Sequence, residues 1–457
     1  MLLTLFIILL LEGFITISVE IITIRQLTPF FGSSVVITSI IIGIFLLFLA
    51  LGYWRGGMYR QPQVFKQLCR NFTLAFIWIG IGLNYSFIAI LFYLSAAFTT
   101  LPILLNLSLY LLFILAPIVY WLGQTIPLTT HLFNQTLGVS DISGRALFLS
   151  TMGSFLGAIC TSLLLFQYLG VAWTIVLNCA LLFSLIIFLQ LKSHLSWWFL
   201  FCLAIGLVLI KTLNVNIDKM QFVKTNNYAN YEILTPNKTE KILRINHSNS
   251  SLITTNKGAF PYIEFIHDVL FNTLQLHHKH LLVIGAGGFT LSELGTADND
   301  ITYVDIDPDI KQIAETYFLN ASIKGHFIGQ DARAYLNQTQ KHFDAIISDA
   351  YSNEATIPAS LLTIEYFKAL ADHLKTDGLL VVNIINDPLF RTDYGRKVYN
   401  TIHAVFPYCA LIPVNWHQPD NSLANMIYVC RKSTDDNTVY KDDLTTATLD
   451  FFKDHRR

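Results

Sequence analysis

Charge is what this sequence has least of. Only 13% of its 457 residues are charged and 53% are hydrophobic, against about a quarter charged in soluble domains. The scarcity is uneven: residues 1–213 hold eight basic and three acidic side chains (Glu12, Glu20, Asp141), leaving 22 basic and 28 acidic for 214–457. Two regions suited to different solvents exclude a single soluble globule and a disordered chain, and the net charge of −1 excludes nucleic-acid binding through bulk positive charge. Cysteine is also sparse. Six are present and no CxxC occurs, so a zinc or redox site is not indicated and no disulfide is required. The N-terminus has neither a basic n-region nor a cleavage site and reads as a retained membrane segment. A GK[ST] phosphate loop, a Ser/His/Asp series and a metal-ligand cluster are absent, which ranks hydrolase and ATP-driven readings low and predicts no metal.

Long apolar runs fill the first region. A span needs about 20 apolar residues, and seven candidates fit: 2–24, 34–53, 72–94, 101–122, 146–168, 171–191 and a short one at 196–213. Gly153 and Gly157 form a small-xxx-small face for close helix packing. Glu12 and Glu20 fall within about 80° of each other on one helix, so they either line a polar cavity for a cation or hydrogen-bond between helices. The loop bearing Arg55, Arg60, Lys66 and Arg70 points to the cytoplasm by the positive-inside tendency. Seven spans then put the polar half on the opposite face, so either a span is miscounted, with the short seventh as the suspect, or the charge rule does not hold here.

From Asn214 the pattern changes. Short alternating runs at 231–234, 241–246 and 251–255 predict a small antiparallel sheet. Strands at 280–284, 301–305, 326–328, 345–348 and 379–384 then alternate with helices and predict a parallel, doubly wound α/β sheet. The expected organisation is a transmembrane helical domain over 1–213, a β subdomain over 214–275 and a Rossmann-like domain over 276–457.

Ligands of such sheets bind beyond the carboxyl ends of the strands. There an apolar strand runs into Gly285-Ala286-Gly287-Gly288, glycines that let a ligand approach the backbone. About 20 residues on, Asp305 is placed to accept both hydroxyls of a ribose, while Asp307 suits a cap for the helix opening at Pro308. Asp331, followed by Ala332, can accept from an adenine amine or cap its own helix. Asp349, followed by Tyr351, reaches the same edge, where a carboxylate can take the proton of an attacking amine.

The order of Gly-rich loop, VDIDP, GQDAR, IISDAYS, IPASLLTIEYFKAL and DGLLVVNI resembles the polyamine aminopropyltransferases, the spermidine synthase family, over roughly 230–432. The segments EIITIR (20–25), FGS (31–33) and GQTIPL (123–128) look like bacterial proteins in which such a domain is fused to membrane helices. The resemblance implies a class I methyltransferase-like fold behind a small β-domain, with decarboxylated S-adenosylmethionine or S-adenosylmethionine as co-substrate and a polyamine or other amine as acceptor. It assigns Asp305 to the ribose, Asp331 to adenine, Asp349 to the attacking amine, and Tyr262 and Glu264 to the polyamine. It also implies a multi-pass protein of the bacterial inner membrane whose polar half is cytoplasmic, where the co-substrate is made, and leaves self-association into a homo-oligomer open. The chain departs from the family pattern in three places. Gly285–Thr290 has no acid, Ile263 stands where the family has histidine, and Tyr351, Ser352 and Asn353 stand where a second aspartate follows. Two other readings fit the same residues: a methyltransferase or other S-adenosylmethionine-consuming enzyme with another acceptor, and a polyamine transporter or sensor whose nucleoside domain does not turn over.

Overall fold

A computed structural model describes residues 2–32, 34–59, 64–98, 102–132, 138–193, 197–351, 356–414 and 423–432; Ser352 and Asn353 lie outside them. The first region is a helical bundle: α1 (Leu2–Phe31), α2 (Val35–Gly56), α3 (Val64–Gly82), α4 (Tyr85–Phe98), α5 (Ile103–Thr130), α6 (Ser140–Tyr168), α7 (Val171–Ser193) and α8 (Trp197–Gln221). Among the described residues, six helices are long and apolar enough to cross a membrane, or seven if the bent pair α3–α4 counts as one.

The irregular span is the third and not the seventh. α8 runs past the expected boundary at 213 to Gln221, whereas the run at 72–94 breaks at Leu83-Asn84 with a 66° bend. The cause is Asn84, whose Oδ1 accepts from Phe87 N (2.9 Å) and whose Nδ2 donates to Leu213 O (3.1 Å). A short amide side chain that satisfies local backbone groups competes with helix continuation.

Close packing explains the glycine pair. A Cβ on Gly153 would stand 1.9 Å from Leu10 O and one on Gly157 2.5 Å from Phe14 O, so α6 lies directly against α1. Glu12 faces this contact, buried, and accepts from Thr16 (2.9 Å) and Ser150 (3.1 Å). It is an interhelical hydrogen-bonded carboxyl, the packing alternative of the two.

The polar half opens with an antiparallel sheet of β1 (Lys224–Thr225), β2 (Asn230–Asn237), β3 (Glu240–Ile245) and β4 (Ser248–Thr254). After α9 (Pro261–His267) come β5 (His280–Ile284), α10 (Thr290–Leu294), β6 (Asp300–Asp305), α11 (Ile310–Ile313), β7 (His326–Gly329), α12 (Ala332–Gln338), β8 (Phe343–Ser348), α13 (Ile364–Asp372), β9 (Leu374–Asn386), α14 (Asp393–His403), β10 (Cys409–Val414) and β11 (Ala424–Arg431). The sheet order is β10-β11-β9-β8-β5-β6-β7. In β5, Leu281 and Val283 enter one buried core and Leu282 and Ile284 the other, the period-two division of a sheet covered on both faces.

Two expectations are corrected here. The sheet is not wholly parallel, because β9–β11 and β10–β11 pair antiparallel. β10 and β11 are an edge ribbon returning without a crossover, which antiparallel pairing permits. Cys409 and Cys430 are direct cross-strand partners in that ribbon and are joined as a disulfide. Their 21-residue separation gives no spacing signal, and only the strand register brings them together.

Candidate functional site

The loops after β5, β6, β7 and β8 converge on one cavity of about 620 Å³. Its floor is the glycine loop. Gly285 sits at φ +90°, and a Cβ there would lie 2.2 Å from Asp349 O, so this position admits only glycine. Gly287, at φ +49°, packs against the hydroxyls of Ser250 and Ser251 from the small sheet, and Ser251 accepts from Gly288 N at 2.8 Å. The small sheet thus forms a wall of the site.

Asp305 closes the end of β6. Its Oδ2 accepts from Ala286 N (2.9 Å) and its Oδ1 from Asp307 N (3.0 Å), which aims the carboxylate over the glycine loop with lone pairs to spare. Burial pushes its pKa up to about 6, against the pull of those backbone bonds. Asp331 lines the cavity and also caps α12, accepting from Ala334 N at 2.9 Å. Ala332 lies beside it in the wall.

Asp349, half-buried like Asp305, is the acid of the cavity at the end of β8. Asn383 on β9 donates to its Oδ1 at 2.8 Å, while the Tyr262 hydroxyl, also in the cavity wall, donates to Ser250 O at 3.4 Å. Burial again dominates and raises its pKa to about 6. Tyr351 is fixed from two sides, donating to Asn383 O (3.0 Å) and accepting from Ile385 N (2.8 Å). A buried carboxylate with neutral partners is costly, and a cationic ligand would compensate it. Glu264 stands apart. It is exposed, lies outside the cavity wall, and accepts from Ala259 N at 2.9 Å, a backbone clasp at the start of α9.

The fold therefore brings together Gly285, Gly287, Asp305, Asp331, Ala332, Asp349, Tyr262 and Tyr351, and leaves Glu264 out. Sequence reasoning missed Asn383, Ser251, Asn226 and Tyr231, the last two buried beside Asp307. Nothing local marks these residues, since Asn226 meets Asp307 from 81 positions away. Asp307 is not the cap expected of it, since the N-cap position of α11 is Asp309; it makes a side-chain turn, accepting from Asp309 N at 2.8 Å, and its other oxygen belongs to Asn226 and Tyr231. Among the described residues no group of three or more His, Cys, Asp or Glu is placed to hold a metal ion.

Comparison with known proteins identifies residues 259–440 as a match to the family described as spermine/spermidine synthase domain. The polyamine aminopropyltransferase of Vibrio vulnificus is 33% identical over 156 residues, covering 32% of this chain and 50% of that protein. The N-terminal histidine N-methyltransferase of Emericella nidulans is 31% identical over 172 residues, 36% of this chain and 30% of that protein. A polyamine aminopropyltransferase of Oceanobacillus iheyensis is 23% identical over 411 residues, 83% of this chain and 78% of that protein. The chain thus spans half or less of the length of the first two relatives, and the third likeness reaches into the helical bundle.

Proposed function

Because residues 259–440 form a spermidine synthase-like domain, we propose that this chain is a membrane-anchored transferase. It moves a group from a sulfonium nucleoside, S-adenosylmethionine or its decarboxylated form, to an amine acceptor of the polyamine class. One observation carries the reading: Asp305 and Asp349 line the same cavity, whose volume falls within the roughly 300–1,000 Å³ of small-molecule sites. Asp305 takes the ribose hydroxyls over the glycine loop, and Asp331 and Ala332 take the base. The neutral amine attacks the carbon attached to sulfur; the C–N bond forms while the C–S bond breaks, and its electron pair leaves on the thioether. The ammonium proton passes to Asp349, which Asn383 holds in place.

Calorimetry with S-adenosylmethionine, its decarboxylated form and methylthioadenosine tests the reading. At least one is expected to bind, and Asp305→Ala to abolish that binding; silence with all three overturns the proposal. A second reading, methyl transfer, is favoured by the likeness to a histidine N-methyltransferase and by a glycine loop without an acid. Product mass separates the two, since an added methyl is lighter than an added aminopropyl group. The bundle supplies the anchor through its long apolar helices. Co-substrate supply places the polar half in the cytoplasm, against the positive-inside tendency of the basic residues at the far end of the bundle.

A further inference from the structure

We propose that Arg25 of α1 and Asn226 of the β1–β2 turn are positioning residues that set the ribose carboxylate Asp305 from the helical bundle. The inference rests on the nucleoside reading above and adds that the bundle is a working part of the site as well as its anchor.

A buried guanidinium is costly unless its donors find acceptors. Arg25, only 5% exposed, donates from Nε to Asn226 O (2.6 Å) and from Nη2 to Asn230 Oδ1 (2.7 Å). Both acceptors belong to the polar half, so the end of α1 is pinned to the β1–β2 turn. Asn226 is fully buried, and its Oδ1 accepts from Tyr228 N (2.9 Å) and Ala229 N (3.1 Å). That side-chain turn fixes the amide plane and directs Nδ2 at Asp307 Oδ2 (2.7 Å) and Asp309 Oδ2 (3.0 Å). Asp307, also held by the Tyr231 hydroxyl, gives its backbone N–H to Asp305 Oδ1 at 3.0 Å. An unbroken series of hydrogen bonds therefore runs from α1 to one oxygen of the ribose carboxylate.

Independent contacts tie the same places together. Thr28, three residues on from Arg25 and so on the same face of α1, lines the cavity, as do Asn227 and Tyr228 of the turn. Gln167 at the end of α6 donates to Asp309 Oδ2 at 3.0 Å, and Lys224 pairs with that oxygen at 2.9 Å. Phe30 and Tyr85 pack on His247 at the tip of the β3–β4 hairpin, and the neighbouring Asn246 and Ser248 line the cavity. Asp349 depends on β9 through Asn383 and has no part in the series.

The test measures ribose discrimination in the full-length, detergent-solubilised protein. Methylthioadenosine and its 2′-deoxy analogue are titrated into the unaltered chain, Asn226→Ser and Arg25→Lys. In the unaltered protein the missing hydroxyl should raise Kd about tenfold, and in both variants that ratio should fall toward one as methylthioadenosine itself weakens about tenfold. A purely structural role would weaken both ligands alike, so an unchanged ratio overturns the inference while leaving the nucleoside reading standing. Failure of the unaltered protein to bind methylthioadenosine overturns both. Arg25→Lys keeps the charge and loses the two-pronged geometry, so it carries the same readout should Asn226→Ser not fold.

Discussion

Asp349 and Asp305 show how a residue's setting decides its chemistry. Each is an ordinary carboxyl raised to a pKa of about 6, chiefly by burial. The folded protein holds protons on them that the unfolded chain releases near pH 4, so the stability they contribute is fully present below that pH. It is lost as pH rises through about 6. In the proposed mechanism function runs the other way, because Asp349 has to be ionised to accept an amine's proton. Turnover is therefore expected to fall as pH drops below about 6. Asp349→Asn should lower kcat by about 100-fold or more while raising the melting temperature of the ligand-free protein at pH 7.5. Initial rates and thermal unfolding check the pair of outcomes together; a variant less stable than the parent at that pH would contradict the electrostatic argument. Asp305, Asp331 and Asp349 were legible because each follows a recognisable strand. Asn383 was not, because it sits within a strand of apolar pattern and earns its role only by facing Asp349 across the sheet. Glu264 looked like a ligand in an aromatic-acidic segment, yet its carboxylate closes a backbone turn.

At the scale of elements, periodicity gave the strands and helices and said little about their joints. The break at Leu83-Asn84 depends on what Asn84 meets across the bundle, and the antiparallel β10–β11 ribbon depends on which edge it joins. The α1–α6 contact is where an element-level prediction is sharpest. Gly153 has the Leu10 carbonyl where a side chain would go, and displaced backbone cannot swing aside as a flexible side chain does. Gly153→Val should destabilise the bundle by about 1–3 kcal/mol or more, read as a lower melting temperature in detergent. The same change at Gly43, where a Cβ would meet nothing within 4 Å, should be nearly silent. Equal effects at the two sites would show that close approach is not what the glycine provides.

Across the whole molecule, the helical bundle and the transferase-like domain meet along the rim of the cavity. Arg25, Thr28, Gln167 and Tyr85 lie at the end of the bundle that faces the polar half. Lys66 at the start of α3 lies at the other end, since α3 reaches the polar side only at Gly80, whose carbonyl accepts from Asn214. Cysteines placed at Lys66 and Asp298, on a Cys202→Ser background, should therefore react with an impermeant maleimide from opposite faces of the membrane. With the polar half in the cytoplasm, Asp298→Cys is protected in intact cells and Lys66→Cys is labelled; the reverse pattern moves the site to the outer face. Cys409 and Cys430 are joined as a disulfide in this structure, a bond that a reducing cytoplasm would open, so finding them oxidised in cells would count for the outer face and finding them as thiols for the cytoplasm.

By itself the sequence determined what depends on local order. An apolar region that must leave water, a strand–helix repeat that must form a wound sheet, and acids at successive strand ends all follow from solvent preference and backbone period. Tertiary structure alone decided which of those groups share a cavity. It turned the acid of the aromatic segment away, paired two distant cysteines, and set a buried arginine of the first helix behind Asp305. Those outcomes rest on contacts between residues as many as 205 positions apart, and no short window of sequence contains both partners of such a contact.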